Sequence, residues 1–160
     1  MIRILVVEDE IPILRSICSL IEQTDSEFQV AARARNGKEA LDILDTQVID
    51  VVFLDIHMPV MDGMEVLQEL QKKELDVLIV VLSGYQDFEY VKSAFKYGVF
   101  DYILKPELES DYLLRALRLL GRKKGVIHTK DHGSSGGEEA CPEQGDACST
   151  YYLIAIQPGK

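Results

Sequence analysis

Short apolar runs alternate with amphipathic stretches along the first 124 residues of the chain. Five of these runs have few polar interruptions, as is typical of strands that are covered on both faces of a parallel sheet. The predicted strands are residues 2–7, 28–34, 51–54, 77–82 and 99–104. The hydrophobic pattern therefore predicts five buried strands in this part of the chain.

The stretches that follow these strands carry apolar residues at a spacing of three or four, which predicts an amphipathic helix after each strand. Asn36 and Gly37 predict a cap for the second helix, and Gly98 predicts the end of the fourth helix, whose apolar face includes Phe95. Cys18 falls on the apolar side of the first helix and is expected in the core. Because right-handed crossovers join such units, the pattern predicts an α/β fold, a (βα)₅ doubly wound five-stranded parallel sheet.

The composition of the chain changes abruptly near Gly125. Residues 1–124 are predicted to form one domain. Residues 125–150 are predicted to be a flexible linker, because the stretch 129–150 is rich in glycine and has almost no bulky apolar residue. Residues 151–160 resemble a strand. Two interpretations of this tail stay open: it adds to the first domain or is disordered, or it begins a second domain that the sequence cuts short.

The chain of 160 residues has 17 basic and 27 acidic residues, with a formal net charge of −10 at pH 7. This balance argues against binding of nucleic acid or an anionic membrane, because counterion release requires a basic surface. The apolar runs are far shorter than the roughly 18 residues that span a bilayer, and no secretory leader is visible after Met1. We therefore expect a cytoplasmic protein, and its three cysteines do not suggest a disulfide framework.

Chemically active side chains follow four of the predicted strands, at the edge where parallel strands place their functional groups. These residues are Glu8, Asp9, Glu10, Asp55, Ser83 and Lys105. Carboxylates that share a site require a cation between them, and oxygen donors without His or Cys favour Mg²⁺. Carboxylates can also accept phosphoryl groups. The cluster therefore predicts Asp55 as a nucleophile, with Lys105 and Ser83 bound to phosphoryl oxygens.

Four segments that carry these residues resemble the receiver domain of two-component response regulators, over about residues 1–124. The segments are residues 3–10, 53–63, 81–85 and 101–106. Their order and spacing also fit that family. The resemblance implies a flavodoxin-like sheet with strand order 2-1-3-4-5. Residues 82–90 and 97–102 are similar in particular to receivers that precede AraC-type helix-turn-helix output domains, and DNA binding would then belong to an output domain absent from these residues.

The resemblance implies that Asp55 accepts a phosphoryl group from a sensor histidine kinase. It also implies that Glu8, Asp9 and Asp55 bind Mg²⁺, with the backbone carbonyl of His57 as a further ligand. Glu8 stands where the family more often has aspartate. His57 and Tyr85 occupy positions that tune the rate of dephosphorylation in receivers.

By the same resemblance, Lys105 contacts the phosphoryl group and its peptide bond to Pro106 is expected to be cis. Ser83 and Tyr102 are the expected switch pair: the phosphoryl group draws in the Ser83 hydroxyl, and Tyr102 moves inward to fill the vacated space. This change reorders the face of the fourth and fifth helices, where a partner or a second copy of the chain would bind. The domain is then a switch rather than an enzyme, and at most catalyses its own phosphorylation and dephosphorylation.

The sequence also allows other interpretations. His128, His132, Cys141 and Cys148 could bind zinc, although the wide cysteine spacing and the glycine-rich stretch favour a linker. A Mg²⁺-dependent phosphohydrolase would use the same aspartyl-phosphate chemistry, but it would need a carboxylate where His57 stands. A receiver-like interaction module that is never phosphorylated is disfavoured, because the acidic pair, the phosphoacceptor position and the lysine are all intact.

Overall fold

The computed structural model describes residues 1–24, 26–84, 88–108 and 111–123 of the chain. Its strands are β1 (Ile2–Val7), β2 (Phe28–Ala34), β3 (Val51–Asp55), β4 (Leu78–Ser83) and β5 (Asp101–Leu104). Its helices are α1 (Ile11–Thr24), α2 (Gly37–Thr46), α3 (Gly63–Lys73), α4 (Phe88–Ala94) and α5 (Asp111–Lys123). Short 3₁₀ turns follow α4 and β5, at Phe95–Tyr97 and Lys105–Glu107. Strands and helices therefore alternate as the hydrophobic pattern predicts.

The five strands form one sheet in the order β2-β1-β3-β4-β5, and every neighbouring pair is parallel. The predicted doubly wound sheet and its strand order are confirmed. Val7 of β1 pairs with Leu54 of β3, so the residues that follow them, Glu8 and Asp55, come at the same level of the sheet. The register thus brings side chains from separate strands to one edge.

Helices cover both faces of the sheet and form two hydrophobic clusters with it. The cluster beneath α1 and α5 includes Ile4, Val6, Ile17, Phe53, Leu113 and Leu117. The cluster beneath α2 and α3 includes Leu5, Val7, Ala40, Leu54, Val66 and Leu67. Successive strand residues point to opposite faces, so an uninterrupted apolar run fills both clusters. Each fully buried side chain of this kind stabilises the fold by about 1.5–3 kcal/mol.

Several details of the prediction are confirmed at the helices. The side chain of Asn36 accepts a hydrogen bond from the backbone N–H of Glu39 and so caps α2. Gly98 adopts a left-handed φ of 73° and its N–H donates to the carbonyl of Phe95, which ends the turn after α4. Cys18 is buried in the core.

The prediction is wrong at two points near α4. β5 begins at Asp101 rather than at residue 99, because the pairing of β5 with β4 begins at Asp101, opposite Val80, and Val99 is buried in the irregular segment before it. Phe95 was expected on the apolar face of α4, but 47% of it is exposed. The backbone tightens into a 3₁₀ turn after Ala94, and this change of pitch rotates the following side chains off the helix face. The ring of Phe95 instead lies against that of Tyr102.

The expected cis bond between Lys105 and Pro106 is also wrong, because the described residues contain no cis peptide bond. Pro106 lies in the 3₁₀ turn Lys105–Glu107. Proline suits the first turn of a helix in its trans form, because its fixed φ matches the turn and no N–H is needed there. The turn therefore accommodates Pro106 without the tight bend that a cis bond makes.

Some of the predictions lie outside the described residues. They are the linker 125–150, the tail 151–160, Tyr85, and the zinc set of His128, His132, Cys141 and Cys148. Within the ranges that the structure does describe, no helix combines the length and apolar character required to cross a membrane.

Candidate functional site

Three buried polar residues lie at the carboxyl edge of the sheet. Glu8 follows β1, Asp55 ends β3 and Ser83 ends β4. Their exposed fractions are 0%, 1% and 0%, and no other polar residue is buried in the described part of the chain. Ser83 pairs with Leu104 of β5, so the next residue, Lys105, leaves the sheet at the same edge. The structure therefore brings together the side chains that the sequence places at four strand ends.

Lys105 joins the two buried carboxylates. Its Nζ lies 3.0 Å from Oε2 of Glu8 and 3.0 Å from Oδ2 of Asp55, and it donates a hydrogen bond to Oε1 of Glu8. The exposed Glu10 places its Oε1 3.9 Å from the same ammonium group, a contact that sequence reasoning did not single out. One cation thus faces two buried carboxylates, which leaves an excess of negative charge in the site.

The electrostatics of the site follow from this imbalance. Burial raises the pKa of Glu8 to about 7, helped by the charge of Asp55 and opposed by Lys105. Burial also raises the pKa of Asp55, against the lowering effect of Lys105 and of the backbone N–H groups of His57 and Ile56. Burial by itself would lower the pKa of Lys105, but its contacts with Asp55 and Glu8 outweigh it and raise that pKa. A further cation beside the carboxylates would relieve their repulsion.

Glu8, Asp9 and Asp55 form a group that could hold a metal ion. One carboxylate oxygen of each lies within 4.8 Å of the other two, and no second such group occurs among the described residues. Oε2 of Glu8 and Oδ2 of Asp55 are buried, and the shared ammonium group of Lys105, 3.0 Å from each, is their one polar partner within the described structure. A set of carboxylate oxygens suits a hard divalent cation. The donor set therefore fits the kind of cation that the sequence predicts.

The loop between β3 and α3 packs tightly against Asp55. The N–H of Gly63 donates to the carbonyl of Ile56 at 2.9 Å, and a Cβ at position 63 would collide with the backbone carbonyl of Asp55. The side chains of Asp62 and Glu65 each accept a hydrogen bond from the other's backbone N–H, which caps α3. Glycine is thus required at position 63 by close packing, a requirement that sequence spacing does not reveal.

His57 lies two residues after Asp55, on the outer side of the site. Its side chain is exposed, and its ring contacts the ring of Tyr90 in α4 edge to face, with centroids 5.1 Å apart and planes at 84°. Sequence reasoning did not single out Tyr90, because it belongs to a different helix and lies outside the apolar pattern of α4. The backbone carbonyl of His57, the predicted fourth metal ligand, belongs to the same loop.

The two predicted switch residues lie on neighbouring strands. Ser83 Oγ is buried and forms no hydrogen bond with the described residues. Tyr102 is partly buried against the cluster beneath α2 and α3, and its ring lies 6.1 Å from that of Phe95, with their planes at 86°. A buried hydroxyl without a hydrogen-bond partner carries a desolvation cost. The Ser83 hydroxyl is therefore suited to bind an acceptor oxygen that enters the site.

Comparison with known proteins identifies related sequences. A family model for the response regulator receiver domain matches residues 4–118. The chain is 34% identical over 131 residues to an uncharacterized transcriptional regulatory protein, YesN of Bacillus subtilis (strain 168), covering 81% of this chain and 36% of that protein. It is 31% identical over 129 residues to the transcriptional regulatory protein DegU of Brevibacillus brevis, covering 81% and 54%. The chain thus spans only part of the length of these relatives.

Solved structures agree with the sequence relatives. The fold is similar to the REC domain of AraT, a response regulator from Geobacillus stearothermophilus, with a TM-score of 0.71, 30% identity, and coverage of 77% of this chain and 95% of that one. It is also similar to a CheY-like response regulator receiver domain protein from Methanospirillum hungatei JF-1, with a TM-score of 0.67, 26% identity, and coverage of 78% and 98%. The family match over most of the chain, together with this fold, shows that the chain belongs to the response regulator receiver domain family of two-component systems.

Proposed function

We propose that the chain accepts a phosphoryl group on Asp55 from a sensor histidine kinase and acts as a phosphorylation-activated switch. One observation carries this proposal: in a domain of the receiver family, Asp55 is buried at the sheet edge with Lys105 Nζ 3.0 Å from its Oδ2. Buried carboxylates that outnumber their cation destabilise a fold. Such a cost is expected where a function requires these residues. The arrangement is therefore better explained by phosphoryl transfer than by packing.

The transfer forms one P–O bond and breaks one P–N bond. A carboxylate oxygen of Asp55 attacks the phosphorus atom of the kinase's phosphohistidine, and the electron pair of the P–N bond returns to the imidazole, which is protonated from solvent. Nζ of Lys105 binds a phosphoryl oxygen and offsets its negative charge. The backbone N–H groups of Ile56 and His57, which interact with the Asp55 carboxylate, keep it oriented for attack.

We propose that Mg²⁺ is the cofactor, held by Glu8, Asp9 and Asp55 with the backbone carbonyl of His57. The ion, when bound, supplies positive charge beside the phosphoryl oxygens. With its pKa raised to about 7, Glu8 is only partly ionised at neutral pH. Loading of the site should therefore release protons and strengthen as the pH rises through 7.

The switch would use the two residues on β4 and β5. Ser83 donates its hydroxyl hydrogen to a phosphoryl oxygen, which gives its buried Oγ the partner that it lacks within the described structure. Tyr102 then leaves its contact with Phe95 and turns inward toward the vacated space. The face formed by α4 and α5 changes with it, as expected of a two-state element biased by local charge. A second copy of the chain is one partner that could bind this face.

The domain organisation also belongs to this proposal. Residues 1–124 act as the receiver, residues 125–150 as a flexible linker, and residues 151–160 as a strand-like tail. Control of transcription, and any binding of DNA, would use an output domain of the AraC type beyond these residues, in keeping with the net charge of −10. The transcriptional regulatory proteins among the relatives support this role. Contact with a kinase and with a DNA-bound output domain would place the protein in the cytoplasm.

A phosphohydrolase is a weaker explanation of the same site. Turnover of a small substrate would need a carboxylate where the exposed His57 stands. The receiver family consists of signalling switches rather than enzymes that turn over a substrate. The chain would at most catalyse its own phosphorylation and dephosphorylation.

Incubation with acetyl phosphate, with and without Mg²⁺, tests the proposal by intact mass and by size in solution. The expected result is one phosphoryl group per chain, dependent on Mg²⁺, in the wild type and in Asp50→Asn, and none in Asp55→Asn. Asp50 is a matched control because it directly precedes the same strand, at the end opposite to Asp55. Stoichiometric labelling of Asp55→Asn, or no labelling of the wild type, would contradict the proposal.

A further inference from the structure

A hydrogen bond joins the amino end of α2 to the loop between β3 and α3, residues 56–62. Gly37, the first residue of α2, donates its backbone N–H to the carbonyl of Met61 at 3.0 Å. The first N–H groups of a helix have no partner within the helix, so this donor can serve a neighbouring segment. The loop that follows the phosphoacceptor is therefore tied to a helix from a separate part of the chain.

The contact between Gly37 and the loop is too close for any side chain at position 37. A Cβ there would collide with Cγ2 of Val66, and it would lie 2.8 Å from Cγ and 2.9 Å from the carbonyl oxygen of Met61. Val66 has no exposed surface, and a closely packed core gives it little room to move. Glycine at position 37 thus allows α2 and the loop to approach closely enough for this hydrogen bond.

The same loop carries groups that surround the Asp55 carboxylate. The backbone N–H groups of Ile56 and His57 interact with that carboxylate. The loop closes at its base, where the N–H of Gly63 donates to the carbonyl of Ile56 at 2.9 Å. Met61 lies two residues before this closure, so a displacement of Met61 would be passed on to Ile56 and His57 through the backbone.

The first turn of α2 is a fixed base for this donor. The side chain of Asn36 accepts a hydrogen bond from the N–H of Glu39, and the side chain of Glu39 accepts one from the N–H of Arg35. Such reciprocal bonds fix the start of a helix. Residues 59–60 of the loop are exposed. The N–H of Gly37 is thus directed from a capped helix at a loop that is open to solvent.

We propose that Gly37 is a positioning residue for Mg²⁺ binding, because its hydrogen bond to Met61 holds the loop that carries the backbone carbonyl of His57. The inference rests on the proposed function and extends the site to a helix that touches neither the metal nor the phosphoryl group. Groups that orient a metal ligand contribute about ten- to hundredfold to affinity, whereas one hydrogen bond contributes about two- to tenfold. Since Gly37 acts through several residues of backbone, the smaller range is expected.

Titration of the full chain with Mg²⁺, followed by the NMR shifts of the backbone amides, tests the proposal. Gly37→Ala should weaken Mg²⁺ binding by about two- to tenfold. Gly98→Ala is the matched control and should leave the affinity unchanged, because it adds strain at a left-handed φ of 73° where nothing lies within 4 Å of the new Cβ. Val66→Ala removes the colliding methyl group, so the double variant Gly37→Ala/Val66→Ala should regain part of the affinity, although the second substitution opens the core.

Hydrogen exchange in the metal-free protein measures the positioning effect without metal or phosphoryl group. Exchange of the Gly63 N–H should be faster in Gly37→Ala, relative to exchange of the Leu78 N–H, which donates to the carbonyl of Asp50 before the opposite end of β3. The ratio of the two rates should be unchanged in Gly98→Ala. A general loss of stability would alter both rates and leave their ratio as it is.

Unchanged Mg²⁺ affinity in Gly37→Ala would overturn the proposal, and so would an equal loss of affinity in Gly98→Ala. If Gly37→Ala does not fold, Asn36→Ala decides, because loss of the cap loosens the first turn of α2. It should bind Mg²⁺ more weakly than Thr46→Ala, which removes a hydrogen bond at the other end of α2, and equal affinities would refute the inference. Failure of the wild type to bind Mg²⁺ or to accept a phosphoryl group would instead contradict the proposed function, while the exchange ratio would still show whether Gly37 positions the loop.

Discussion

Two aspartates at opposite ends of β3 have contrasting surroundings. Asp50, directly before the strand, accepts a hydrogen bond from the backbone N–H of Arg3 on its Oδ2 at 2.8 Å. The backbone N–H of Asp50 donates to the carbonyl of Arg3, and the carbonyl of Asp50 accepts from the N–H of Leu78. Asp50 therefore forms hydrogen bonds with both β1 and β4. Asp55, at the other end, is buried beside a second carboxylate and shares one lysine with it.

The contrast shows how one strand serves two purposes. At the amino end of β3, polar groups satisfy one another, which stabilises the sheet. At the carboxyl end, the buried Ser83 Oγ has no hydrogen bond within the described structure, and Glu8 Oε2 and Asp55 Oδ2 share the single ammonium group of Lys105. Groups left in that state cost free energy, and sites that conflict with stability in this way are commonly functional. The same residue type thus completes a hydrogen-bond network at one end and, in the proposed function, accepts a phosphoryl group at the other.

The largest expected effect on stability comes from a comparison of two lysines, the buried Lys105 beside Glu8 and Asp55 and the exposed Lys73 beside Asp45. Lys105→Met should lower the free energy of unfolding by about 2–3 kcal/mol, somewhat less than is usual for a broken buried pair because Glu8 can take up a proton. Lys73→Met should change it by about 1 kcal/mol or less, although Lys73 Nζ lies only 2.5 Å from Asp45 Oδ1, because that pair is exposed. Urea unfolding at pH 8 measures both, and equal effects would contradict the contrast in burial.

The pH dependence of stability should come from the carboxyl end. The pKa of Glu8 is about 7 in the folded protein against an ordinary 4.5, so the folded state binds more protons than the unfolded state between these values. Stability should therefore fall, by about 1–3 kcal/mol, as the pH rises from 4.5 to 7 without divalent cations. Glu8→Gln should flatten this slope. Unfolding at a series of pH values measures it, and an equal slope in both proteins would refute the assignment.

Truncation of the two aspartates compares the ends directly. Asp50→Ala should lower the free energy of unfolding by about 1 kcal/mol, because the N–H of Arg3 loses its acceptor. Asp55→Ala should not lower it, because the substitution removes one of two carboxylates that compete for Lys105. Urea unfolding at neutral pH again gives the values. The comparison fails if Asp55→Ala proves the more destabilising of the two.

The smallest effect concerns backbone strain near the site. Val60, in the loop after β3, has a φ of 71° and is 80% exposed, a conformation that is unfavourable for a β-branched residue. Val60→Gly should raise the free energy of unfolding by about 0.5–1 kcal/mol. Gly98→Ala is the opposite substitution at nearly the same φ of 73°, with nothing near its Cβ, and should lower it. The same sign for both would rule out strain as the cause.

Much of the fold could be predicted from the sequence because buried parallel strands require uninterrupted apolar runs. The bounds of β1 and β2 match the prediction, and the cap at Asn36 and the end at Gly98 follow from local chemistry. The prediction of Phe95 on a helix face is wrong because the backbone pitch changes after Ala94. The hydrophobic pattern of the sequence does not encode that change of pitch.

The site could be predicted in part for the same reason. Because the carboxyl ends of parallel strands share an edge, residues far apart in sequence could be expected together. The shared contact of Lys105 with Glu8 and Asp55, and the burial that raises their pKa values, depend on side-chain geometry. The contact between His57 and Tyr90 has no periodic signal, because the two residues belong to unrelated segments.

The most direct test of the central claim is to locate the phosphoryl group within the chain. After incubation with acetyl phosphate and Mg²⁺, reduction of the acyl phosphate with borohydride converts the modified aspartate to homoserine, which peptide mass mapping can place. The account predicts modification of Asp55 alone, with Glu8, Asp9 and Asp50 unchanged. Modification of another carboxylate while Asp55 stays intact would contradict it.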